Sequence, residues 1–347
     1  EYLAAGATIT GDRAEIFASA DIVLQVQSFG SNNENSADDL AMIRQGQLII
    51  GMMDPLASPQ AALDVAGKGA TAIALELVPR ISRAQSMDVL SSMATLAGYK
   101  AVLMGASASP RMFPLLMTAA GTLQPARVLI MGVGVAGLQA CATAKRLGAV
   151  VEAYDVRPAA REQILSVGAK PVELDLDTGE SEGVGGYAKA QGEDFLQRQR
   201  ELMTAVVAEQ DIIITTAAIP GAKSPILVTE DMVVAMKPGS VIVDLAAERG
   251  GNCDLTEQGQ TIVAHGVTII GPENVPSDLP YHASQMYGKN METLLALILS
   301  DNGELELNFD DEIVAGTVVA HHGEIPHGHM RKLLDLPELN TIKSEKD

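Results

Sequence analysis

The chain has 347 residues, 47% of them apolar against 3% aromatic with no Trp, and a formal net charge of −20. That length exceeds what one hydrophobic core usually organises, so two domains are expected. The charge excludes nucleic acid, whose phosphates need clustered Lys and Arg, and disfavours direct lipid adsorption.

Taken in chain order, Glu1 to Gly6 reads as the end of a helix, so further sequence is expected upstream. Strands are predicted over residues 7–10, 21–26, 47–52 and 70–77, with helices over 13–19, 38–44 and 59–66 between them. Such alternation means a parallel sheet. Residues 28–36 make a polar loop. A helical passage over residues 86–105 leads to a second domain, with strands over 127–131, 150–154, 170–174, 211–215, 240–245 and 267–271. A helix over 281–299 returns the chain, and residues 304–308 and 316–320 supply late strands. The expected fold class is α/β: two Rossmann-like, doubly wound parallel-sheet domains separated by a cleft. The first takes residues 1–85 and 286–325, the second residues 86–285, and residues 326–347 form a tail or linker. No apolar stretch reaches bilayer-spanning length; the longest, residues 294–299, reads as a buried helix. Cys141 and Cys253 make no CxxC pair, which suits a reducing compartment.

One stretch spells out a nucleotide-binding βαβ unit. The apolar run Arg127–Met131 meets Gly132-Val-Gly134-Val135-Ala136-Gly137, then a helix to Leu147, then a strand ending in Asp155. Gly132 allows a tight turn, Gly134 lets a pyrophosphate approach the backbone, and Gly137 lets helix and strand pack closely. The amides of Val135 and Ala136 at the helix start receive phosphate. Asp155, 23 residues after Gly132, is placed to accept from an adenosine ribose, which favours NAD(H) over NADP(H). Arg157, two residues on, reads either as a phosphate ligand or as a surface cation capping the next helix or lying over the adenine.

Three other segments carry chemistry. Asp175 to Tyr187 is glycine-rich and reads as a lid over a bound dinucleotide or as a surface loop, with Tyr187 favouring the lid. Val78-Pro-Arg80-Ile-Ser-Arg-Ala-Gln85-Ser-Met-Asp88 offers a planar cation, an amide and a carboxylate for a nicotinamide and its ribose. Ser82 to Gln85 is equally a capping box, which would only close a helix start. His321, His322, His327 and His329 fit no standard zinc spacing, read as a solvated strand end and linker, and no metal site is assigned.

The loop at Val78–Asp88, followed by Ser91-Ser-Met-Ala-Thr-Leu-Ala-Gly-Tyr99, resembles the NAD(H)-binding component, domain I or the α subunit, of proton-translocating nicotinamide nucleotide transhydrogenase. The resemblance continues through the glycine turn, Ala153-Tyr-Asp155-Val156-Arg157-Pro158, the segment at Tyr187, Asp211 to Gly221, Val241 to Cys253 and Asn274-Val-Pro-Ser277. The wider superfamily includes alanine dehydrogenase. The resemblance implies that Arg80, Gln85 and Asp88 organise the nicotinamide end, with Ser91 nearby, and that Gln85 reaches toward the dinucleotide on the partner. It gives pyrophosphate to Gly132, Gly134 and Gly137, the adenosine end to Asp155, Val156 and Arg157, and the lid to Tyr187. Thr215, Thr216 and Ala217 would line the nicotinamide-side wall, and Asn274 the last loop. It also implies a homodimer and two partners: an NADP(H)-binding subunit and a membrane-spanning, proton-translocating subunit. The chain would then sit peripherally on the cytoplasmic face of the inner (plasma) membrane.

Departures from the family separate the functions. Where these enzymes usually carry Lys in the second strand this chain has Gln25, and no His stands near Met52 and Met53 to relay a proton. Glu248 takes the slot of the catalytic Asp of alanine dehydrogenase. Amino-acid oxidation needs a carboxylate-binding group and a base, whereas hydride transfer between two nicotinamides needs neither. The expected activity is therefore transfer of hydride from NADH to NADP⁺ on a partner subunit. A non-catalytic NAD(H)-binding module is the alternative, followed by an amino-acid dehydrogenase.

Overall fold

The computed structural model describes residues 2–32, 34–174 and 193–339, and the chain divides into two compact units. One comprises Glu1–Val89 with Gly288–Asp347, the other Leu90–Tyr287. The lid segment, Tyr187 included, lies outside the described residues.

The first unit begins with α1 (Arg13–Ser19), β1 (Ile22–Gln27), α2 (Ser36–Met42), β2 (Leu48–Met52), α3 (Gln60–Gly67) and β3 (Thr71–Ala74). β1, β2 and β3 are parallel neighbours, and Ile49, Ile50 and Ile73 are wholly buried. Branched side chains on a strand covered on both faces gain most from burial, which is why this segment holds its sheet. Residues 7–10, expected as a strand, are irregular and largely exposed. Local polar bonds take them instead: Thr10 Oγ1 accepts the Asp12 amide at 3.1 Å, and Asp12 caps α1 through the amides of Ala14 and Glu15.

The second unit is built around α4 (Val89–Ala108), a short hairpin of β4 (Leu116–Thr118) and β5 (Gly121–Leu123), then β6 (Arg127–Met131), α5 (Val135–Arg146), β7 (Val150–Tyr154), α6 (Ala160–Ser166) and β8 (Lys170–Pro171). α7 (Glu193–Ala208), β9 (Ile212–Thr215), α8 (Glu230–Ala235), β10 (Val241–Asp244), β11 (Thr261–Ala264) and β12 (Val267–Ile270) complete it, and α9 (Pro280–Ile298) begins in it and passes into the first unit at Gly288. Its seven-stranded sheet runs β11-β12-β10-β9-β6-β7-β8, parallel except for β11, which returns antiparallel on β12. The order reverses at β6, between β7 and β9, and open α/β sheets bind ligands at such a switch point. Ala101 and Val102 of α4 share one core face with α5, and Met203 and Val207 of α7 share the other with α8.

α4 corrects the expectation that no segment is long and apolar enough to cross a bilayer. It has 20 residues with a mean hydropathy of 1.2, sufficient by length and composition. Its glycines show where it belongs: a methyl at Gly98 would overlap the Ala136 carbonyl, and one at Gly105 would lie 3.1 Å from Ile212. These contacts seat one side of the helix on the second unit, while much of its remaining surface is only half-buried.

The first unit, resumed at Gly288, is completed by α10 (Glu312–Thr317), β13 (Val318–Ala320) and α11 (Gly328–Leu333). β13 pairs antiparallel with β3, so the first sheet is mixed rather than wholly parallel. Of the late strand expected over residues 304–308, only a single bridge between Leu299 and Leu305 forms. The linker expected from residue 326 gives way over residues 326–339. Met330 is fully buried, and Arg331, 7% exposed, donates to the carbonyls of Ile325 and Pro337. Two of the four histidines are integrated, since His321 Nδ1 lies 3.0 Å from Thr71 Oγ1 and His327 caps α11 by accepting the Met330 amide at 3.3 Å, while His322 and His329 are exposed.

That cap has a pH signature. Burial, then the neighbouring His329, holds His327 below the usual histidine value. A neutral ring favoured in the fold contributes stability that is present above about pH 6.5 and lost as pH falls toward the lowered native value. Urea unfolding at pH 7.5 and 5.5 should therefore show a smaller acid loss in His327→Asn, which keeps a capping acceptor without titrating, than in the wild type. Equal losses would mean that His327 is not linked to folding.

Candidate functional site

β6 ends at Met131 and the backbone turns at Gly132, whose φ of +92° lies in the left-handed region that a side chain disfavours. A Cβ there would also come within 2.8 Å of the Ala217 amide nitrogen. At Gly137 an added methyl would overlap the Gly132 carbonyl oxygen, so only glycine lets the first turn of α5 sit this close to the strand end. Gly134 is different. It has ordinary dihedrals, is exposed, and an added methyl would meet no atom of the described residues within 4 Å. It is the N-cap of α5, with no side chain capping it and no acid in the first turn. The amides of Val135, Ala136 and Gly137 thus stand at a helix start with positive potential and open space above, which is what an anion requires.

At the tip of β7 the Asp155 carboxylate accepts the Val133 amide at 2.7 Å, tying the strand end to the glycine turn. It also accepts the Arg157 amide and the Arg157 Nε, both at 2.9 Å, and Nη2 at 2.9 Å, while Nη2 reaches the Val133 carbonyl at 3.0 Å. The two side chains are 6% and 15% exposed. Arg157 is therefore neither a surface cation nor a helix cap. Val156, between them, is half-buried.

The end of β9 and the loop after β10 meet around a buried carboxylate that sequence reasoning passed over. Asp244 has no exposure and accepts from Thr215 Oγ1 at 2.9 Å, the amides of Ala246, Asn252 and Cys253, and Thr256 Oγ1 at 2.7 Å. Asn252 then clamps residue 217, accepting the Ala217 amide at 3.0 Å and donating to its carbonyl at 2.9 Å. Thr216 Oγ1 donates to the Gly132 carbonyl at 2.8 Å. Thr215 is wholly buried, so it supports the expected wall from behind rather than facing it, and the surface falls to Thr216 and Ala217. The signal was present: a lone Asp ending the apolar run Val241-Ile-Val243 must find donors, and Ala246, Asn252, Cys253 and Thr256 in the segment that follows supply most of them. Asn274, exposed in a left-handed conformation, donates its amide to Glu248 at 3.3 Å and joins the loops after β12 and β10.

In the first unit, Arg80 and Gln85 are exposed and Asp88 half-buried, on the loop and 3₁₀ helix that follow β3. The capping-box alternative is not realised: the N-cap is Ile81 and no side chain caps the turn. Other contacts anchor this segment. Arg83 pairs with Asp311 at 2.7 Å, and the Asn290 amide donates to the Ser86 carbonyl at 2.8 Å. Beneath it, Glu76 accepts the amides of Met53 and Asp54 at 2.7 Å, and burial holds its carboxyl above the usual range. Ser91 belongs to the first turn of α4, in the second unit.

Residues 1–97 match the alanine dehydrogenase/PNT N-terminal domain, and residues 101–328 match the C-terminal domain of the same family. The chain is 48% identical over 326 residues to an NAD(P) transhydrogenase alpha subunit of Rhodospirillum rubrum, covering 93% of this chain and 85% of that one. This chain belongs to the alanine dehydrogenase/PNT family. Within it, the similarity to transhydrogenase alpha subunits extends to structure. The crystal structure of a transhydrogenase from Sinorhizobium meliloti superposes with a TM-score of 0.80 at 44% identity, over 93% of this chain and 86% of that one. L-alanine dehydrogenase shares the fold, with a TM-score of 0.74 at 22% identity over 96% of this chain and 86% of that one.

Membership in the alanine dehydrogenase/PNT family makes the departures at Gln25 and Met53 informative. Gln25 donates to Asp39 at 2.8 Å and accepts from Ser28 at 2.7 Å, and Met53 is buried in the core.

The glycine turn separates packing from ligand approach. Gly134→Ala should fold with wild-type stability yet lose dinucleotide binding. Gly137→Ala should be destabilised by about 1–3 kcal/mol through overpacking. Denaturant unfolding and isothermal titration on both variants check this, and equal destabilisation of the two would refute the distinction.

Proposed function

We propose that this chain is the NADH-binding component of a proton-translocating transhydrogenase and passes hydride to NADP⁺ held by a partner subunit. The observation that carries this reading is the uncapped start of α5 below open space at Gly134, with a carboxylate at the tip of the next strand. Pyrophosphate suits the first, and an unphosphorylated adenosine ribose suits Asp155 with Val156 and Arg157 beside it. Thr216, Ala217 and Asn274 then border the nicotinamide, with Thr215 behind them. The family resemblance assigns Arg80, Gln85, Asp88 and Ser91 to the nicotinamide end, with Gln85 toward the second dinucleotide, and gives the lid to Tyr187, which lies outside the described residues.

The chemistry is one hydride leaving C4 of NADH for C4 of NADP⁺, giving NAD⁺ and NADPH, with no proton exchanged at carbon. The protein's role is to bind, orient and exclude water. The engagement of Gln25 with Asp39 and Ser28 fits that modest demand, since amino-acid oxidation would need a substrate-binding cation and a base. Relatives named as an alpha subunit support a multi-subunit assembly: an NADP(H)-binding subunit, a membrane-spanning subunit that moves protons, and this chain peripheral on the cytoplasmic face of the inner membrane. A second copy of the chain suits the β4–β5 hairpin, where Met117 is 81% exposed beside the exposed Leu115 and Leu123.

Isothermal titration of the isolated chain should give tight NADH binding and negligible NADPH binding. Reduction of an NADP⁺ analogue by NADH should be absent from the isolated chain and appear when both partner subunits are added. In that complex Gln85→Ala should slow hydride transfer about 100-fold while NADH affinity is kept, the cost of misplacing a reacting ring by about 1 Å. A reconstituted complex that binds NADH but reduces nothing would overturn the proposal.

A further inference from the structure

We infer that Arg157 is a specificity-determining residue of the ribose pocket: Asp155 excludes a 2′-phosphorylated dinucleotide by withholding Arg157 from it, as well as by its own charge. This rests on the reading that the glycine turn takes NAD(H), and adds to it the means of selection.

An ionised carboxylate has about four acceptor positions. Those of Asp155 are filled by the Val133 amide, the Arg157 amide, Arg157 Nε and Arg157 Nη2, at 2.7–2.9 Å. The remaining direction of Nη2 is taken by the Val133 carbonyl. The guanidinium therefore turns its fork onto the strand end, and the pair is close to electrically neutral. Repulsion by a bare carboxylate is too simple an account of such a site.

The two ligands differ in what they bring. A ribose with free 2′ and 3′ hydroxyls carries two donors, which replace the guanidinium donors on the carboxylate one for one. A 2′-phosphate at neutral pH carries acceptors and between one and two negative charges. To hold it, Arg157 must present its fork outward, since that geometry suits bidentate phosphate binding. Doing so abandons a carboxylate whose side chain is only 6% exposed, with nothing from the phosphate to replace the lost donors. The same cation that would welcome the phosphate is thus kept from it by the pairing.

A double-mutant cycle separates this from simple repulsion. Asp155→Asn keeps an acceptor for the Val133 amide but gives up the charge and its hold on Arg157. If repulsion alone excludes the phosphate, NADPH binds Asp155→Asn and the double variant D155N/R157M equally well. Under the lock, calorimetry on the full chain at fixed ionic strength should show NADPH binding about tenfold tighter or more in D155N, the size of one charge-assisted contact. Most of that gain should be lost in D155N/R157M, leaving only the share due to removal of the charge. A gain undiminished in the double variant overturns the inference, as does its absence from a D155N protein with a wild-type circular dichroism spectrum. Should D155N not fold, Arg157→Met alone decides: NADH affinity should rise several-fold, because the carboxylate no longer trades a cation for hydroxyls, and an unchanged or weaker affinity overturns the lock. The wild-type titration stands apart. No NADH binding there removes the underlying reading, whereas normal NADH binding with no coupling between positions 155 and 157 removes only the lock.

Discussion

The contact between α5 and the end of β6 sets the second unit's chemistry. Two peptide groups approach there to a distance that a single methyl at Gly137 would forbid. Because they do, the helix starts immediately beyond the strand, its orphan amides face outward, and its dipole is aimed at the space over Gly134. Thr216 fastens the same Gly132 carbonyl from β9, and the Val133 amide is fastened to Asp155 from β7. Three adjacent strand ends are thus pinned to one turn, and any ligand seated there is positioned by backbone rather than by mobile side chains.

Two carboxylates divide the work of shaping these strand ends. Asp244 is sealed inside and satisfied by five donors, so it organises: through Asn252 it fixes both polar groups of residue 217. A buried charge on these terms is rigid, because every displacement leaves a donor unpaired. Asp155 takes two backbone amides, and its other two donors come from a single side chain, which can rotate. The first suits a fixed wall and the second an exchangeable partner.

How much of this was legible in the sequence follows from where each determinant lies. The run from Arg127 to Asp155 declared strand, turn, helix and acid because all its constraints are local in the chain. The alternation of elements declared an α/β fold for the same reason. Asp244 was legible in principle as an unexplained charge in an apolar strand, but its donors come from positions up to 29 residues away. The antiparallel return of β13 onto β3 depends on a partner more than 200 residues distant, which no local pattern encodes. The Arg157 fork depended on a choice between solvent, adenine and a neighbour two residues back, and only the folded strand end decides it. Of the histidine run, His321 and His327 departed from the solvated reading because a cross-strand hydroxyl and a helix cap claim them, and neither partner is visible in the local pattern.

The seating of α4 on the second unit has a consequence for biosynthesis. Gly105 rests against Ile212 and Val243, so a residue that helps to cover this helix is made 138 positions later. At roughly 5–20 residues per second, a ribosome leaves that oily surface bare for on the order of ten seconds. During that interval the helix lacks the strands β9 and β10 that it rests on in the folded unit, so its apolar surface must wait for them to be covered.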